Sequence, residues 1–61
     1  MSDIDTINDH LVGVQGSKIV ILMPPRGPMP IDEALRMAAY IVSCASADEL
    51  FAQILEAVRN T

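Results

Sequence analysis

The chain has one cysteine, one histidine, no tryptophan and only two aromatic residues, Tyr40 and Phe51. Each scarcity removes a class of solution. Cys44 alone excludes a disulfide within the chain. Structural zinc commonly takes four nitrogen or sulfur ligands, and His10 and Cys44 are the only strong ones, so no metal site and no cofactor are expected. Bases are few as well: four against eight acids, for a net charge of −4. Asp3, Asp5 and Asp9 fall in the first 17 residues, which hold no Lys or Arg. Such a chain repels a phosphate backbone, which disfavours general nucleic-acid binding. The apolar run from Ile19 to Pro25 is far short of the about 20 residues that span a bilayer, so no membrane association is expected. Acids at positions 3 and 5 do not suit the basic start of a secretory leader. A single thiol fits a reducing compartment, and the expected location is the cytoplasm.

What is present is aliphatic. Hydrophobic residues make up 51% of the 61 positions and aromatics 3%, so the core must come from Ile, Leu, Val, Ala and Met. A chain of this length is one domain and buries only about 60% of its unfolded surface. Without disulfides or a metal, association with further copies is the remaining source of stability, so a homo-oligomer is expected.

Residues 1–9 read as a polar, acidic arm or an added edge strand, followed by one small αβ domain over 10–61. His10–Gln15 and Lys18–Met23 are rich in β-formers. Gly16-Ser17 between them is a two-residue turn with Gly at the first central position, where positive φ is needed. The second strand is apolar on both faces, which predicts cover on two sides. Pro24, Pro25, Pro28 and Pro30 then exclude a helix or central strand and restrain the residues before them, giving a stiff loop. Ile31–Ala45 reads as a helix opened by Pro30, with Asp32 and Glu33 complementing its dipole. Its apolar positions form one stripe through Ile31, Ala34, Leu35, Ala38, Ile41, Val42 and Ala45, flanked by a second through Met37, Tyr40 and Cys44. Ser46-Ala47-Asp48-Glu49 is a capping-box pattern that predicts a second helix over 47–59. The fold class is therefore α+β: an N-terminal β-hairpin, a Pro-rich loop and a C-terminal antiparallel αα-hairpin, in an oligomer. The surplus apolar surface places the subunit interface at Ile19, Ile21, Met37, Tyr40, Ile41 and Cys44.

Candidates for chemistry are few. His10 lacks a visible Ser or Cys partner and reads as a surface or strand-edge residue. Cys44 has no basic neighbour in sequence and reads as a small core residue. Asp32 and Glu33 diverge by about 100° on a helix, and Arg36 suits a surface ion pair with them. Together these features argue against an enzyme. The loop from Pro24 to Pro30 is the exception. Its prolines lower the cost of ordering, Arg26 offers a planar fork that fits phosphate or carboxylate, and Gly27 permits close approach. The candidate ligand contacts are thus Pro25, Arg26, Gly27 and Tyr40, with a plain strand-to-helix connector as the competing reading.

From Lys18 onward, Lys-Ile-Val-Ile-Leu-Met-Pro-Pro-Arg-Gly-Pro-Met-Pro, then Asp-Glu-Ala-Leu-Arg-Met-Ala-Ala-Tyr-Ile-Val and the ending Ile-Leu-Glu-Ala-Val-Arg-Asn-Thr, the chain resembles a group of short phage- or prophage-encoded proteins. The resemblance covers residues 18–61 and brings no catalytic residues with it. It implies an accessory role in the host cytoplasm, directed at host defence or host enzymes. Within that context two functions are expected as alternatives. One is a homo-oligomer that sequesters an anionic, nucleotide-like small molecule at a subunit boundary. The other is a protein-interaction module or stoichiometric inhibitor of a host protein.

Overall fold

The computed structural model describes residues 4–61. Residues 1–3 of the arm lie outside the described residues. The elements run β1 (Val12–Gln15), β2 (Lys18–Ile21), α1 (Ile31–Ala45) and α2 (Asp48–Arg59). The fold is α+β: a two-stranded antiparallel hairpin followed by two helices. No helix among the described residues is long and apolar enough to cross a membrane.

The hairpin pairs Val12 with Ile21 and Gln15 with Lys18 across the turn. Gly16 occupies φ +63°, the position where a side chain would strain the turn. The regular ladder is shorter than the β-rich segments because Leu11 adopts a left-handed conformation at φ +49°. Two further bonds, Leu22 N to Leu11 O and Met23 N to His10 O, continue the pairing past this kink. Among the described residues β2 is an edge of a two-stranded sheet, not a central strand. Ile19, Val20 and Ile21 are accordingly half-buried, with helical cover from α1 alone.

The segment before β1 is built rather than loose. Asp5 accepts a bond from the Ile7 N–H, and Leu11 N donates to Asn8 O across a turn. The Asn8 carboxamide accepts from Val12 N at 2.9 Å and donates to Val12 O at 3.1 Å. It thereby stands in for a neighbouring strand at that residue, meeting the need of both backbone groups for partners. Val12, 6% exposed, is the one buried apolar residue among the described positions.

Helix α1 begins with the Ala34 N to Pro30 O bond, and the extended φ/ψ of Pro30 (−59°, 153°) sets its entry. Glu33 and Tyr40 bond to His10 and Thr6, which identifies the side of α1 facing the N-terminal segment. At 3.6 residues per turn Met37 and Cys44 share that side, and both are half-buried. The flanking stripe is therefore the inward one. Ile31 and Leu35, from the longer stripe, are left open.

The break between the helices differs from the capping-box expectation. Ser46 takes a left-handed conformation as the C-cap of α1, with its N–H on Val42 O and its hydroxyl turned back to Ser43 O. In that left-handed conformation Ser46 lacks the extended backbone of an N-cap residue, so it closes α1 and does not open the next helix. Ala47 takes the N-cap position of α2 with no side-chain bond, so α2 starts at Asp48. Among the elements, α2 packs only against α1 and has no buried residue.

Asn8→Ala removes both bonds to Val12 and strands two backbone groups. It is expected to destabilise the fold by about 1–3 kcal/mol, read from urea unfolding. A change within about 0.5 kcal/mol, the range of an ordinary surface substitution, would show that Asn8 does not hold the edge.

Candidate functional site

The connection between β2 and α1 curls over a cavity of about 350 Å³. Its wall takes Asp9 and His10 from the N-terminal segment, Met23–Met29 from the connection and Glu33 from the first turn of α1. Three stretches of the chain that are remote in sequence meet there.

His10 holds them together. Its ring is 8% exposed, the one buried polar residue among the described positions. Nδ1 lies against the Met23 carbonyl oxygen, and Nε2 is 2.8 Å from Glu33 Oε2. A carbonyl and a carboxylate only accept, so both nitrogens must donate. The geometry therefore requires the imidazolium form. The Met23 carbonyl, with Glu33 and Asp9 adding to it, raises the pKa above the ordinary histidine value, while burial opposes the rise. With both nitrogens committed, His10 is a strut and not a free base.

Arg36, about one turn further along α1, acts in the same way. Its guanidinium meets Asp9 at 2.7 Å, Asp32 at 3.3 Å and Asp5 at 3.5 Å. Hydrogen bonding to Asp9 leads the rise in its pKa. The expected partner Asp32 is present, but Glu33 is taken by His10 instead. Two acids from the arm complete the cluster, because they lie on the same side of α1.

These pairings decide the charge of the cavity. Asp9 is balanced by Arg36 and Glu33 by His10. Arg26 has no hydrogen bond or ion pair with the described residues, so its charge stands uncompensated on the wall. Pro25 and Gly27 line the same cavity, and a Cβ at Gly27 would meet nothing within 4 Å.

Tyr40 does not join them. It lines a larger opening of about 610 Å³ between Ile4–Thr6 and α1, and its hydroxyl donates to Thr6 O. The one cation of that opening, Arg36, is taken by Asp5, Asp9 and Asp32, so it offers no free positive charge to an anionic ligand. Of the residues expected at the subunit interface, Ile19, Ile21, Met37, Tyr40, Ile41 and Cys44 are all half-buried within a single chain. No group of three or more potential metal ligands is found among the described residues.

Because folding raises the His10 pKa, the protonated ring stabilises the fold fully below its unfolded value of about 6.5, and this contribution is lost as pH rises through the folded value. Thermal stability is expected to fall as pH rises above about 6.5 and through the raised folded value, and His10→Gln should flatten that slope. An equal slope in the variant would assign the pH dependence elsewhere. Compared with family models, curated proteins and solved structures, the chain gives no match.

Proposed function

We propose that this chain is a small, non-enzymatic, homo-oligomeric protein that holds an anionic, nucleotide-like molecule against Arg26. The observation that carries the reading is the uncompensated guanidinium on the wall of a cavity whose two acids are already paired. A cavity of about 350 Å³ lies at the lower end of the range for small-molecule sites. The arginine fork fits a phosphate or carboxylate with two parallel bonds. Prolines on both sides of Arg26 lower the entropy lost when the loop closes on a ligand. Open space at Gly27 leaves room for a ligand or a neighbouring subunit. The resemblance to phage accessory proteins fits sequestration of a signalling nucleotide in the host cytoplasm.

A second reading has its own support. Among the described residues twelve large apolar side chains remain well exposed, including Leu22, Met23, Leu50, Phe51, Ile54 and Val58. A protein that inhibits a host protein by docking would present such a surface.

Calorimetry with inorganic phosphate, AMP and a cyclic dinucleotide separates the two. Binding is expected for at least one probe, weakened about tenfold or more by Arg26→Ala and partly retained by Arg26→Lys. No heat with any probe, or binding indifferent to Arg26, would reject the ligand reading.

A further inference from the structure

The helical end of the molecule is unfinished. Between α1 and α2 runs a groove of about 360 Å³ lined solely by apolar side chains, with Ala38, Val42 and Ala45 on one wall and Leu50, Phe51 and Ile54 on the other. On α2 these large residues continue to Val58 as one stripe at helical spacing, and Glu49, Gln53, Glu56 and Arg59 fall outside it. Ile54, near the middle of the stripe, is 52% exposed.

Two measures of the whole chain say how much cover is lacking. It exposes 5192 Å², about 1,300 Å² more than the about 3,900 Å² of a compact monomer of 6.6 kDa. Its radius of gyration is 12.8 Å, against about 10.5 Å for a compact domain of 61 residues. Covering the surplus on two chains would bury about 2,600 Å², within the range of obligate homodimers.

We infer that the groove between α1 and α2 is the seat of α2 from a second copy, and that the protein is a dimer closed through these helices. The inference rests on the oligomeric aspect of the proposed function and not on the ligand. A second copy is the occupant because the need is permanent. A helix of 12 residues with no buried side chain is marginal in water, so α2 requires a partner whenever the chain is folded. Only its own copies are always at hand. A two-fold axis makes the contact reciprocal: Leu50, Phe51 and Ile54 are wall in one copy and insert in the other. The small Ala38 and Ala45 opposite them leave room for large side chains to interdigitate.

Native mass spectrometry with light scattering at micromolar concentration tests the assignment on the full chain. The wild type is expected as a dimer. Ile54→Asp should raise its dissociation constant about 30-fold or more. Val14→Asp, on a side chain exposed in the hairpin and outside the groove, should leave the dimer intact. Amide exchange over residues 48–59 of the wild type should quicken on dilution, which reads the same coupling without a substitution. A wild-type monomer overturns the inference and the oligomeric reading together. A dimer that Ile54→Asp does not weaken overturns the groove alone, and nucleotide binding at Arg26 is decided separately by calorimetry.

Discussion

The architecture depends on a protonated histidine held between two acceptors. His10 reaches the Met23 carbonyl at the end of the hairpin and the Glu33 carboxylate at the start of α1. That single ring fixes where the sheet ends, where the helix begins and how the proline connection spans the gap. Its charge follows from its partners, since neither a carbonyl nor a carboxylate can donate. The Arg36 cluster braces the same junction from the neighbouring turn, with three carboxylates on one guanidinium. The net effect on the cavity is subtractive: both acids on its wall have a cationic partner, and Arg26 has none among the described residues.

The molecule is consequently two-sided. Its polar side is finished, and no buried side-chain nitrogen or oxygen among the described residues lacks a partner. Its apolar side is open, with Val12 the one buried apolar residue among those described. A chain of this length buries only about 60% of its unfolded surface, which leaves little core between two strands and two helices. The N-terminal segment, turned by Asn8 and held against α1 by Asp9 and Tyr40, covers part of that helix. The unpaired charge of the connection and the apolar groove of the helical end thus have no lining residue in common.

The helices and the turn were legible because their signals are local. Pro30 before an acidic first turn and an apolar period of 3.6 define α1 over Ile31–Ala45 without reference to the rest of the chain. Gly16 marks the hairpin for the same reason, since the ease of positive φ comes from glycine's missing side chain and needs no distant partner. The exposed Arg26 loop was also legible, as its prolines exclude regular structure. The capping-box reading failed locally, because the backbone of Ser46 takes the left-handed conformation that closes the first helix, not the extended one that opens the second. Which strand face and which stripe of α1 turn inward was not legible, because two adjacent apolar stripes satisfy the same periodicity.

The sequence by itself determined the order and approximate extent of the main elements and the short supply of buried surface. Only the tertiary structure decided the partners of the charges. A contact between positions 10 and 33 leaves no periodic trace, since it arises from the path of the connection and not from neighbours on one helix. The same holds for Arg36, whose shortest ion pair spans 27 positions to Asp9. The cavity charge, the inward stripe and the open groove all descend from those distant pairings. Chain geometry brings the groups together, and the low tolerance of buried polar atoms for missing partners keeps them there.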